Sequence, residues 1–537
     1  MQRILILIVF VYAGALRAQI KSQVFVDSTL YSEVQFPDSL ALSSYVKNLQ
    51  LNWIDQGHYF SGVDSVLVTN DWHKIYLHKG NKFNASIQNV KGRKLHSQLK
   101  RELKNYTNNG YPFASLEIDS LNLTEDLLTG RLLIASGPEI TYDSAFFFNP
   151  LKTNHSYIYQ SLDITPGDSF SEKSYRGINK KIKRSSFLSL KSSPDLSFHR
   201  GKAKLYLDIE EKASNTFHGV IGLQQSGAGN TSFVGNLNLD IQNLFRSGKK
   251  FKFAWERFSE ASQELDVRYK HPFIFGSKIS PSGRLIILKQ DTTFLTRTAG
   301  IGLNTYIAPG VELSFEVEQT DGTLLSTDIK VIGQSGLADY RRTAYQVAFF
   351  NGDRSSLETY SQGFIWSLSA AAGRKTIERN VSIPDNYYDT IQSNTDFYRF
   401  ENHAAYQLKV LKRQTVFHSI KGGLLSNKEL LKNELYRIGG LTTLRGFNEK
   451  SIFAESYFLS RLELRSFFED SSYAFLFYDQ LLFNRTSFSD NPLGLGLGFT
   501  LGSSSGQFTF AFAIGKSKAQ PITFSNMKAH FGYITRF

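Results

Sequence analysis

The chain has 537 residues, no cysteine, 14% aromatic residues and a formal net charge of +13. Without cysteine there is no disulfide framework and no thiolate metal site. The positive charge forms no basic run, which points away from nucleic acid and towards a polar cavity or membrane-surface contacts.

Met1 to about Ala18 has the layout of a secretory signal: Arg3, an apolar run from Ile4 to Tyr12, then small residues and Leu16-Arg17-Ala18. The run is short for a bilayer, and no cysteine follows it to carry a lipid anchor, so the mature chain is expected to be exported. Beyond it no apolar run approaches the length of a membrane helix. A membrane-spanning form of this chain therefore has to be a closed β-barrel, the other structure that satisfies its backbone in lipid.

From about residue 22 to 212 one loose pattern of strand, helix, helix and two strands is expected three times, over 22–84, 85–139 and 140–212. In the first copy Leu40, Leu42, Val46, Leu49 and Trp53 give a helical stripe ending at Gln56-Gly57. Alternating Val63, Ser65 and Leu67 and the run Trp72–Leu77 follow as strands. In the second, Leu95, Leu99, Leu103 and Tyr106 lie at helical spacing, Asn109-Gly110-Tyr111-Pro112 stops them, and Gly130–Ser136 is a return strand. The third opens with Ile140–Phe148, carries a helix marked by Tyr175, Ile178 and Ile182, and closes with Ala203–Ile209. Gly110-Tyr111-Pro112, Gly137-Pro138 and Pro166-Gly167-Asp168 resemble the turns of POTRA domains. That resemblance implies an exposed strand edge to which an extended client protein adds, with no catalytic residue involved.

From Thr216 the texture becomes period two. Leu237, Leu239 and Ile241 oppose Asn236, Asn238, Asp240 and Gln242; Leu265, Val267 and Tyr269 oppose Glu264, Asp266, Arg268 and Lys270. Lipid on one face and water on the other explains charged faces repeated over many long strands. Residues 216–537 are expected to hold sixteen strands, starting near 216, 233, 249, 263, 282, 294, 310, 339, 358, 396, 413, 455, 472, 492, 506 and 527. Long loops are expected near 320–338, 378–395 and 427–454. The fold class is thus a transmembrane β-barrel of sixteen antiparallel strands preceded by small α+β modules. Its last strand, His530–Phe537, resembles the outer-membrane assembly signal through His530, Gly532 and the terminal Phe537.

The last long loop contains Ile438-Gly-Gly-Leu-Thr-Thr-Leu-Arg-Gly-Phe447. Glycines at 439, 440 and 446 permit positive φ and tight folding-back. If the segment is packed away from water, Arg445 requires a carboxylate, because a guanidinium does not lose its proton. Leu444-Arg445-Gly446-Phe447, after the pair Gly439-Gly440, resembles the signature loop of the BamA/TamA/FhaC-type outer-membrane assembly and secretion superfamily. With three modules, the layout is closest to the TamA-type members. The resemblance implies a loop tucked into the barrel lumen, with Arg445 meeting Asp479 of Phe477-Tyr478-Asp479. Glu463, which shares a face with Arg461 and Arg465, is the second candidate partner. Gln480-Leu481-Leu482 departs from the glycine usual after that aspartate.

It further implies an insertase or translocase for unfolded outer-membrane or secreted clients, placed in the outer membrane with its modules in the periplasm. Lipid and periplasmic accessory proteins would be its other partners. No nucleic acid, cofactor or metal is implied: the 11 histidines are scattered, and no nucleophile elbow occurs, so no enzyme is expected. A passive channel or surface-binding barrel on the same scaffold stands as the alternative.

Overall fold

The computed structural model describes residues 20–69, 72–87, 90–91, 94–183, 185–225, 231–308, 310–328, 336–352, 354–485, 488–503 and 506–536. The signal expected over Met1–Ala18 and the terminal Phe537 lie outside these residues. The fold divides into two units. One holds the residues up to Phe146 with Ile164–Arg176 and Asp195–Leu205; the other holds Phe147–Asp163, Gly177–Pro194 and Tyr206 onward.

In the first module, Ile20–Val26 and Thr29–Phe36 form a hairpin whose turn residues Asp27 and Ser28 both take positive φ, 48° and 67°. Its four strands run Thr29–Phe36, Ile20–Val26, His73–His78, Gly62–Val68 across the sheet, the middle pair being parallel. Helix α1, Ser39–Asp55, starts where the Asp38 carboxylate accepts the Ala41 N–H at 2.7 Å, and it ends before Gly57 at φ 100°. It buries Leu42, Val46 and Trp53 against Val24, Ile75 and Leu77. The second module repeats the plan with Leu95–Asn108 (α2) and a sheet ordered Val90–Lys91, Asn84–Ile87, Leu127–Ala135, Ser115–Thr124. Each of these modules has one helix where two were expected. The chain before the helix is spent on a second strand instead, and the aspartate–serine turn that allows it in the first carries no glycine to mark it.

The third module does have two helices, His155–Leu162 (α3) and Glu172–Ile182 (α4), and a sheet ordered Asp195–His199, Lys202–Leu207, Thr141–Phe147. The division between the two units passes through it. In the second unit, Tyr157 of α3 lies between Phe187 and Phe273, with ring centroids 5.7 and 5.8 Å away, and its ring covers Gly248, where a Cβ has no room.

From Thr216 the chain forms a closed antiparallel barrel. Its strands are β1 Thr216–Gln225, β2 Thr231–Leu244, β3 Lys249–Arg257, β4 Gln263–Lys270, β5 Ile279–Gln290 and β6 Phe294–Ala308. They continue as β7 Val311–Leu324, β8 Asp339–Gly352, β9 Gly363–Glu378, β10 Asn394–Leu411 and β11 Gln414–Ser426. After the long loop come β12 Ser456–Phe467, β13 Tyr473–Arg485, β14 Leu493–Ser503, β15 Gly506–Lys516 and β16 Lys528–Arg536. A short seventeenth segment, Phe488–Asp490, pairs with the end of β13 and shares one position with β14, from which Asn491-Pro492 separates it. Proline has no N–H to carry a ladder across that point. Sixteen positions therefore close the wall, as the alternation predicts. The largest displacement is at β9, expected near 358, because Arg354–Leu357 first makes a 3-10 turn.

Burial follows the lipid-out, water-in rule. Along β13, Tyr473, Phe475, Phe477, Asp479 and Leu481 face inward and are buried, while Ala474, Leu476, Tyr478 and Leu482 face outward and are exposed. The wall closes where β1 meets β16, and among the described residues the pairs there are Thr216 with Arg536 and Phe217 with Thr535. On their other sides β1 makes ten residue pairs with β2, and β16 makes eight with β15.

Candidate functional site

The loop between β11 and β12 folds back into the barrel as a finger. Its neck is a small antiparallel pair, Tyr436–Ile438 with Ile452–Ala454. Gly439, Gly440 and Gly446 take φ of 130°, 96° and 89°, a region that any side chain would strain. The Thr443 hydroxyl donates to the Gly439 carbonyl at 2.8 Å and accepts the Gly439 N–H at 2.9 Å, so the tip closes on itself. Leu444 and Phe447 pack with Ile438, Leu459 and Leu481 in an apolar cluster beneath the tip. Leu481 stands close to where the superfamily resemblance implies a glycine; here it is floor for the finger.

Arg445 is 2% exposed and carries the polar half of the anchor. Its Nε and Nη2 donate to Asp479 at 2.8 and 2.6 Å, and its Nη1 donates to Glu463 at 2.7 Å. The guanidinium lies 3.6 Å above the Phe477 ring, which adds a cation–π contact on a desolvated face. Two more arginines share these acids. Arg465 reaches Glu463 at 2.7 Å and also donates to Gln407 and the Leu357 carbonyl. Arg461 lies 3.4 Å from Asp479 and donates to the carbonyls of Leu441 and Thr443. Three cations thus face two carboxylates, and backbone carbonyls take the surplus donors. A buried guanidinium is tolerated on those terms.

The finger leans on a wall stripped of side chains. A Cβ on Gly494 would collide with the Arg445 carbonyl, and one on Gly515 would come within 2.5 Å of the Gly446 oxygen. The Gly446 N–H donates to His530 Nε2 at 3.2 Å, which requires that nitrogen to be an unprotonated acceptor. Gly532, two residues on, faces the Leu441 side chain. His530 and Gly532, expected from the sequence resemblance to belong to an assembly signal, are placed by the structure as contacts of the finger.

Three further attachments were not foreseen. Glu434 meets Lys375 at 2.6 Å and Arg342 at 3.3 Å, all three side chains being buried. Arg437 donates to Gln290 of β5. Lys450 meets Glu256 and Glu264 at 2.8 and 2.9 Å. The available signal was charge on inward positions of the alternation, but nothing in the spacing says which wall a loop will reach.

No family model matches the chain, and no curated protein is similar to it in sequence. Among solved structures it is similar to CdiB from Acinetobacter baumannii, with 12% identity, 98% of this chain and 91% of that one covered, and a TM-score of 0.55. CdiB from Escherichia coli gives 12% identity, 98% and 92% coverage, and a TM-score of 0.54. BamA from Haemophilus ducreyi lacking POTRA domains 1–3 aligns at 14% identity over 83% of this chain and 93% of that one, with a TM-score of 0.46. At these identities the likeness is one of fold: small α+β modules leading into a transmembrane antiparallel barrel.

Proposed function

We propose that this chain is an outer-membrane insertase or translocase that helps β-rich client proteins fold into, or pass through, the membrane. The observation that carries the reading is the seam. Among the described residues β1 and β16 share two residue pairs, against ten and eight on their flanking sides, so most of the facing edge of each is left without a strand partner there. Such edges are templates for a client strand, which gains backbone hydrogen bonds there without entering water-free lipid unpaired. The free energy would come from client folding, with no nucleotide or metal.

The modules supply a first contact in this reading. Gly62–Val68 is an edge strand of the first module, with Val66, Leu67 and Val68 all more than half exposed, and it carries neither the lysine nor the proline that usually blunts an edge. An unfolded client would add to that edge in the periplasm before reaching the seam. A finger bolted inside the barrel at several points gives little support to the alternative of an open diffusion channel.

Because the chain has no cysteine, the seam can be tested cleanly. Cysteines replacing Phe217 and Thr535, which are paired residues, would lock it under oxidation. Client assembly in reconstituted vesicles is expected to stop on oxidation and resume on reduction. Equal assembly by the locked and reduced forms would overturn the reading.

A further inference from the structure

Seen from inside the barrel, the finger stands behind the seam and touches both sides of it. On the side of β16, Gly446 donates to His530 and packs on Gly515 of β15, and Arg445 holds Asp479 of β13. On the side of β1, Lys450 reaches β3 and β4 through Glu256 and Glu264. From β16 to β3 is three strand spacings, about 14 Å at ~4.8 Å each. The five residues from Gly446 to Lys450 extend to about 17 Å, and the lysine side chain adds more. The segment turns at both ends, and the Lys450 side chain covers the remaining distance to β3 and β4.

Three observations mark Lys450 as a built attachment. Glu256 and Glu264 are directly opposite each other in the β3–β4 register, a like-charge pair that destabilises the sheet unless a cation sits between them. Lys450 sits there, with its ammonium also 5.0 Å from the Phe258 ring. Its backbone takes φ 54°, unfavourable for a side-chain-bearing residue, while its N–H donates to the Gly439 carbonyl at 3.3 Å and closes the base of the tip. The two anchors, Arg445 and Lys450, thus belong to one closed turn.

The position along the seam matters. Glu256 pairs with Asn236, and Asn236 with Val220 of β1, three residues beyond the last seam pair at Phe217. Lys450 therefore pulls on the row of the wall where β1 and β16 have stopped pairing. We propose that Lys450, through Glu256 and Glu264, is a positioning residue that straps the β1 side of the barrel to the finger and sets how far the seam opens. The proposal rests on the insertase reading only for its purpose; the strapping itself is a statement about seam geometry.

The test is the rate of disulfide formation in the full-length Phe217→Cys/Thr535→Cys chain in vesicles, with heat-modifiable gel mobility as the check on barrel folding. Lys450→Met is expected to slow cross-linking about five-fold, the low end of a typical coupling between sites. Glu256→Gln/Glu264→Gln, which keeps the lysine and relieves the like-charge repulsion, is expected to do the same, so the test does not depend on Lys450→Met folding. Lys450→Arg is expected to restore the rate. Wild-type rates in Lys450→Met or in the double glutamine variant would overturn the strap. Slowed cross-linking combined with client assembly that ignores the locked disulfide would keep the strap and remove the insertase reading.

Discussion

One carboxylate oxygen of Asp479, Oδ2, accepts both the backbone N–H of Arg445 at 3.2 Å and its Nε at 2.8 Å, so Asp479 fixes the path of the finger as well as the direction of its guanidinium. Removing the side chain in Arg445→Ala leaves Asp479 with Arg461 at 3.4 Å, while Glu463 keeps Arg465. The loss is expected near the lower end of the roughly 3–5 kcal/mol typical of breaking a buried pair. Arg445→Lys should recover only part of it, since an ammonium supplies a point charge and not the fork that grips both oxygens. Urea titration of heat-modifiable mobility measures both. A wild-type midpoint for Arg445→Ala would mean that the finger is held by its apolar floor alone.

The glycine wall allows the finger to be displaced without touching a charge. Gly494→Ala puts a Cβ into the Arg445 carbonyl, which is backbone and has nowhere to retreat while Arg445 stays clamped. Ejection of the tip is the expected result, seen as trypsin cleavage at Arg445 or Lys450 in intact barrels that resist it in the wild type. Gly532→Ala is the comparison. Its Cβ would meet only the end of the Leu441 side chain at 3.3 Å, a group able to shift, and little cleavage is expected.

These contacts show where sequence reading succeeds and stops. Strands such as β13 announce themselves, because the inward Phe475, Phe477 and Asp479 and the outward Leu476 and Tyr478 alternate without interruption. The Arg445–Asp479 contact was legible through a short motif. Lys450, Glu434 and Gly494 were not, since a loop's target depends on barrel curvature and strand stagger, which no local pattern encodes. Gly494-Leu-Gly496-Leu-Gly498 reads as a strand with small inward residues, yet the space at Gly494 is filled from 49 positions earlier in the chain, by the Arg445 carbonyl, while the rings of Phe477 and Phe475 crowd Gly496 and Gly498. In the first module the hidden feature is the Asp27-Ser28 turn, whose positive φ angles occur without glycine and convert an expected helix into a hairpin strand.

Glu434 and Lys375 form a second buried anchor, in which Glu434 also accepts from Arg342 and from the Leu431 N–H. Lys375→Met is expected to destabilise the barrel by leaving that carboxylate half-compensated, and Glu434→Gln by leaving Lys375 with carbonyl partners only. The double variant should cost less than the two single losses added together, with a coupling of about 1–3 kcal/mol. Strict additivity in the same urea titration would show that the two groups act separately.

Module stability should depend on pH through His78. Its Nδ1 lies 2.5 Å from Asp64 and its Nε2 lies 2.8 Å from the Phe60 carbonyl, and both partners are acceptors. Only the imidazolium donates from both nitrogens, so the hydrogen bond to Asp64, helped by that to Phe60, raises the His78 pKa above its ordinary 6.5. A folded pKa above the unfolded one stabilises the folded state fully below the unfolded value, and the gain is lost as pH rises through the folded value. His78 ties the strand Gly62–Val68 to its neighbour, so the part that loosens on the alkaline side is the edge offered to clients. Hydrogen exchange of Val66–Val68 in the full chain is expected to quicken as pH rises above the ordinary 6.5, after correction for intrinsic exchange rates. His78→Gln should flatten that dependence. Exchange in the wild type that follows the intrinsic rate alone over this rise in pH would remove His78 as the group that pins the edge.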